Sequence, residues 1–320
     1  MKNKPDPDPV TPLARPRLSS ALLPLQGIQV LSLALNLPGP AALMRCRELG
    51  ATCKKLEPPA PPGAAEGGTG DPMSFYNPTA YQALHKGIRK TAADLKTEAG
   101  QQALHRALAT SDVLLTSYRP AAHTRLGLDW KLLHQRYPAL HHIAIVGGPG
   151  ARANHPGHDL TYLAENDLVT GLDLPATLYA DMGGALMAVQ AVLQAVLHTR
   201  SPRRATAKPG KYVEVPLSDA ARWLALPRQW GLTKPGAAVG GGHAGYRVYP
   251  CHDGRVAVAA LEPHFAASLC DAAGIDAVEL PEMFEPDVHE AVAAFLLTQT
   301  RRQLERLALE RDIPLHTLPN

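Results

Sequence analysis

The chain has 320 residues, a formal net charge of +3, and 45% hydrophobic residues. That length buries a sizeable core in one or two domains, and the charge is too small and too dispersed for a nucleic-acid partner. No run of about 18 apolar residues suggests a membrane span, and Cys46, Cys53, Cys251 and Cys270 lack the spacing of a metal site or disulfide framework, as expected of reduced thiols in a cytoplasmic protein.

The first 24 residues are polar and rich in proline. They read as a disordered tail without the apolar centre of a secretion signal. Gly27 to Leu33 is a short apolar run suited to a buried strand. Pro38-Gly39-Pro40 then opens a helix rich in Ala, Leu and Met that ends at Gly50, and Lys54 to Glu57 forms the next strand. Together these make a βαβ unit of about 30 residues. Residues 58–72 are a Pro/Gly-rich loop. Helices are predicted over 97–110 and 129–137, and strands over 112–118 and 141–146. Alternating strands and helices predict a doubly wound, mostly parallel α/β sheet, but the Gly-rich dinucleotide fingerprint is absent. The stretch 182–198 is apolar on nearly every side, which predicts a helix buried in a core or subunit interface. After a basic linker at 201–210 come a strand over 212–217 and a capped helix over 218–226. The turn His252-Asp253-Gly254 joins strands 246–250 and 255–261 in a hairpin. Helices are predicted over 263–273 and 287–311.

Three segments place titratable side chains at element boundaries: Gly157-His158-Asp159, Tyr179-Ala180-Asp181-Met182-Gly183-Gly184, and Leu261-Glu262-Pro263-His264. A His, an Asp and a Glu so placed are suited to an acid–base site, since moving a proton on and off carbon needs two bases, or one mobile base, and a carboxylate to hold the imidazole. Each also has a plainer reading. Asp181 is placed to cap the helix that follows it, His158 is one of 14 histidines in a loop, and Glu262 is placed to compensate a helix dipole. Asp159 is an alternative acid in the same motif, or holds its turn. His141-His142 reads as a sheet pair, and no metal constellation is evident.

The ordered set of segments running from LQGIQVLSLALNLPGPAALMRCRELGATCKKLEPP through SDVLLTSYRPAAHTRLGLD, GHDLTYL, YADMGGALMAV and GKYVEVPLSDAA to YRVYPCHDGRVAVAALEPHFAASL resembles the family III CoA-transferases, within them the α-methylacyl-CoA racemase branch. The resemblance implies a large Rossmann-like domain, a smaller domain and an intertwined homodimer; the order of elements places the large domain over 25–204, the smaller α/β domain over 205–285 and a C-terminal helical segment over 286–320. It implies an acyl-CoA substrate, with coenzyme A as part of that substrate and no other cofactor, and no nucleic-acid or membrane partner. His158 and Asp181 match the two opposing bases, and Glu262 the residue supporting His158. In the transferase branch the Asp matching Asp181 instead carries the acyl group covalently. Arg119 matches an Arg implicated with CoA or the active site. Lys55, Lys86 and Arg89 are candidates for the CoA phosphates, against the alternative of a solvated basic face, and Gly39 is a candidate for close backbone approach. The expected reaction is racemisation at the α-carbon of a 2-methylacyl-CoA. The alternatives are CoA transfer between carboxylic acids, or a family member that binds CoA without turnover.

Overall fold

The computed structural model describes residues 22–64, 68–200, 209–276 and 279–319. Nearly all of the expected tail and most of the basic linker lie outside the described residues. In chain order the elements are β1 (Gln29–Ser32), α1 (Pro38–Glu48), β2 (Thr52–Glu57), α2 (Met73–Tyr76), α3 (Pro78–Leu84), β3 (Arg89–Ala92), α4 (Glu98–Leu108), β4 (Val113–Thr116), α5 (Pro120–His123), α6 (Trp130–Arg136), β5 (His141–Val146), α7 (Asp159–Glu165), α8 (Tyr179–Arg200), β6 (Tyr212–Pro216), α9 (Leu217–Leu224), α10 (Leu226–Gln229), β7 (Tyr246–Cys251), β8 (Gly254–Ala259), α11 (Pro263–Ala272), α12 (Pro286–Thr298), α13 (Arg301–Arg311) and β9 (Leu315–Leu318).

Two compact units divide the chain, one ending at Leu224 and the other beginning at Ala225. The first carries a six-stranded sheet in the order β3-β2-β1-β4-β5-β6, parallel at every pairing. Its central strands are apolar on both faces, as a sheet with helices on each side requires. Side chains alternate between two cores. Val30, Val113, Leu115, Ile143 and Ile145 join α1 and α8 on one face, while Leu31, Leu56, Leu114, Leu104 and Leu133 join α4 and α6 on the other. The helices start where local chemistry satisfies their first N–H groups. Pro38 opens α1, and Thr97 and Asp129 accept the N–H groups of Gly100 and Leu132 at the starts of α4 and α6.

The second unit is a three-stranded antiparallel sheet, β7-β8-β9, packed through Tyr249, Val256 and Val258 onto Leu269, Val292, Leu296 and Leu304 of α11, α12 and α13. The hairpin lies where the Asp-Gly turn predicts it.

Several expectations are corrected. The stretch 287–311 is two helices, because Thr300 interrupts it and caps α13: its hydroxyl accepts the N–H of Gln303, whose side chain accepts the N–H of Thr300. Strand β6, grouped with the smaller domain from sequence, pairs with β5 and completes the large sheet. Within the single chain, helix α8 covers only part of its surface against the core. Ala180, Gly184, Ala188, Val192 and Val196 face the core, while Met182, Leu186 and Leu197 are exposed. Among the described residues α8 alone is long and apolar enough to cross a bilayer, and half of its most apolar 18-residue window is packed inside the unit.

Candidate active site

Strand order reverses between β1 and β4, where the chain runs outward to β3 on one side and to β6 on the other. In open α/β sheets a crevice forms at the carboxyl ends of the strands flanking such a reversal. Here it is a cleft of about 510 Å³, walled by Leu35, Asn36 and Leu37 after β1, Ser117, Tyr118 and Arg119 after β4, and Gly147 after β5. The loops are tied across the reversal. Leu35 N–H donates to Ser117 Oγ at 3.0 Å, and Asn36, in the left-handed region at φ 62°, donates its N–H to Asp71 Oδ1 at 3.1 Å.

His158 and Asp181 both line this cleft. His158 has extended backbone at the N-terminal boundary of α7. Its N–H donates to Thr161 Oγ1 at 3.0 Å, which leaves the imidazole exposed. Asp181 is not the cap of α8; it lies in the first turn, after Tyr179 and Ala180. It is half-buried, and its carboxyl is raised from 3.8 to about 7, first by burial and then by the carboxylate of Asp159. Asp159 is itself buried, 5% exposed, and its Oδ1 accepts the N–H of Asp181 at 2.9 Å. One hydrogen bond thus joins the first turns of α7 and α8. An exposed imidazole and a carboxyl raised to about 7, lining one cleft, are equipped to take and return a proton. Arg119 lines the same cleft as the extended residue before Pro120.

Glu262 belongs to the second unit. It holds the N-cap position of α11, is exposed, and makes no cap hydrogen bond with its side chain.

The other candidates fall elsewhere. Lys55 is fully buried and offers no surface to a phosphate, which corrects that expectation. Its ammonium lies 2.5 Å from Asp71 Oδ2, 3.3 Å from Glu57 Oε2 and 2.9 Å from His85 Nε2. His85 Nδ1 lies 2.6 Å from the carbonyl oxygen of Tyr81 and therefore carries the ring proton, so Nε2 accepts from Lys55. Burial and the Lys55 charge lower His85 to about 4, which keeps the ring neutral. Three donors meet three acceptors, the condition under which an ammonium can be buried. Gly39 is buried against Ala34, whose side chain a Cβ at position 39 would strike; it lets the start of α1 pack on the loop after β1. Lys86 and Arg89 are exposed and lie outside the cleft lining. Arg89 lines a groove of about 320 Å³ with Lys54 and Arg106 beside α4. Among the described residues no three His, Cys, Asp or Glu side chains are grouped to hold a metal.

Tyr162 was not singled out from sequence. It lines the cleft and is 6% exposed. It falls four residues after His158, but His158 precedes α7 in extended backbone, so no helical spacing links the two in the sequence.

A model of CoA-transferase family III matches residues 25–319. The alpha-methylacyl-CoA racemase of Mus musculus is 27% identical over 296 residues, which is 87% of this chain and 73% of that protein. A Mycobacterium tuberculosis protein named probable fatty acyl-CoA transferase is 32% identical over 190 residues, 56% of this chain and 48% of its own length, so the match spans about half of that relative. The crystal structure of a CaiB/BaiF family protein from Brucella suis superposes with TM-score 0.74 at 20% identity, covering 93% of this chain and 84% of the other. That likeness establishes the fold. Relatives in this group are enzymes named both as racemases and as CoA-transferases. With the family match running from the first strand of the large sheet to the last strand of the small one, the chain belongs to CoA-transferase family III.

Proposed function

We propose that this chain is an acyl-CoA racemase or epimerase that moves a proton at the α-carbon of a 2-methylacyl-CoA. The observation that carries the reading is the pairing, on one cleft, of His158 with an Asp181 carboxyl raised to about 7. An ordinary carboxylate is too weak a base for such a carbon acid, and burial beside Asp159 brings Asp181 closer to the task. One base takes the α-proton, the C–H electron pair passes into the thioester as an enolate, and the other base delivers a proton to the opposite face. Because the thioester delocalises the carbanion, the reaction needs no further cofactor. Glu262 is proposed to support His158, Arg119 to hold the thioester or CoA, and the exposed Lys86 and Arg89 to meet CoA phosphates. The active form is proposed to be a cytoplasmic, intertwined homodimer; light scattering tests its oligomeric state.

The Mycobacterium tuberculosis relative named as a transferase supports a second reading. There Asp181 attacks the acyl-CoA carbonyl and expels CoA thiolate. The thiolate then attacks the mixed anhydride, which releases the free acid and leaves an aspartyl-CoA thioester. One experiment separates the two. The protein is incubated with a 2-methylacyl-CoA in deuterated water, with and without hydroxylamine, and both substrate and protein are weighed by mass spectrometry. Racemisation gives α-deuterium without an acceptor acid and no modified chain. A hydroxylamine-trapped Asp181, with turnover only when an acceptor acid is present and no deuterium, establishes transfer instead.

A further inference from the structure

Tyr162 is buried in α7 among Leu163, Ala180 and Ala221, yet it lines the cleft. Its hydroxyl makes no hydrogen bond to another described residue, and it is not one of the fully buried polar atoms, so it is open to the cleft. The ring is also seated closely. A Cβ added at Gly147 would come within 2.5 Å of the hydroxyl oxygen, and one at Gly157 within 2.5 Å of the oxygen and 2.6 Å of Cε1. Two glycines, one after β5 and one before His158, leave room for this hydroxyl and little else. An unpaired donor held this tightly at a cleft is preorganised for something that enters the cleft. Burial, then the charge of Asp181, raise the phenol above its ordinary value of 10, so at neutral pH it is a neutral O–H. It can donate but not take part as a base.

We infer that Tyr162 is a further catalytic residue, whose hydroxyl donates a hydrogen bond to the thioester oxygen as that oxygen gains negative charge. This rests on the proposed racemisation. When a base on one side removes the α-proton, the electron pair runs into the thioester and the oxygen becomes an enolate oxygen. Tyr162 stabilises that charge without giving up its proton, and the pair returns to carbon when the second base reprotonates it. A fixed neutral donor aimed at developing charge in a shielded site discriminates between ground state and transition state, which is what accelerates the step. The placement fits. Tyr162 lines the same cleft as His158 and Asp181, so a thioester held between the two bases lies beside the phenol.

The test uses deuterium wash-in with the full chain. Tyr162→Phe keeps the ring and its packing, and its fold is checked by circular dichroism and thermal melting. Its kcat for exchange should fall about 100-fold, the lower range for removal of one oxyanion donor, with KM nearly unchanged. Gly147→Ala supplies a second measurement. Its new methyl meets only the hydroxyl closely, since the next ring atom, Cζ, is 3.4 Å away. The single variant should lose comparable activity, and the double variant Gly147→Ala with Tyr162→Phe should be no worse than Tyr162→Phe alone. Wild-type exchange with an unchanged kcat in a folded Tyr162→Phe protein overturns this inference and leaves the proposed function standing. A wild-type protein that exchanges no α-proton overturns both.

Discussion

Replacing Asp159 by Asn removes one charge and little else. The amide is isosteric, and its Oδ1 can still accept the Asp181 N–H that Asp159 now holds at 2.9 Å. The Asp181 carboxyl moves from 3.8 to about 7 in the folded protein, a bias against the charged form of roughly 4 kcal/mol. Burial is the larger cause and Asp159 the smaller, so the charge at 159 accounts for less than half. We expect Asp159→Asn to lower the Asp181 midpoint by about one unit, ~1.4 kcal/mol. Asp181 must be ionised to remove a proton from the epimer it faces. For that epimer, kcat/KM for deuterium wash-in should rise with pH through about 7 in the wild type and through about 6 in the variant, an offset that follows from the one-unit shift. Below that range the variant should be the faster enzyme. A midpoint that stays in place, or moves upward, refutes the argument that Asp159 tunes Asp181 by charge. The same group opposes folding. Between 3.8 and about 7 the folded state holds a proton that the unfolded chain has released, so this contribution to stability declines as pH rises across that window.

Asp181→Asn and His158→Ala should each lower α-proton exchange by about two to four orders of magnitude, the span of a general acid–base group; an unchanged rate in either folded variant removes that residue from the chemistry. Lys55→Met should destabilise the first unit by about 3–5 kcal/mol, because Asp71 and Glu57 are left as uncompensated buried charges; urea unfolding measures the loss, and a wild-type midpoint would contradict the buried cluster. Cys46 and Cys53 are buried thiols pushed up to about 12, so at pH 8 iodoacetamide should label them far more slowly in the native chain than in urea, and equal rates would show that they are accessible.

The parts of the fold that were legible are those specified locally. Strand β1, helix α1 and strand β2 follow from one apolar run, a Pro start and a second run closed by Glu57, and the hairpin from Asp253-Gly254. Strand β3 left no signature because it is a short, largely exposed edge strand, and β9 because its pairing with β8 joins residues far apart in sequence. Lys55 was misread for the same reason. Strand alternation puts Lys54 and Lys55 on opposite faces, but the carboxylate that makes burial tolerable, Asp71, lies near the far end of a Pro/Gly-rich loop. His158 and Asp181 were found through family resemblance; spacing alone does not bring them to one cleft. Tyr162 was missed because its significance lies in two glycines that touch its hydroxyl, a relation only coordinates reveal.

The hydrogen bond from the Asp181 N–H to Asp159 adds a strut between two helices that also pack through Tyr162, Leu163 and Ala180 and are connected by residues 166–178. The positions of the two bases therefore do not depend on the length or composition of that connection. The connection ends at Leu178 on the cleft and exposes Leu172 and Leu174. On the proposed function, the sequence of this connection can therefore change while the hydrogen bond and the packing of α7 on α8 keep His158 and Asp181 on one cleft.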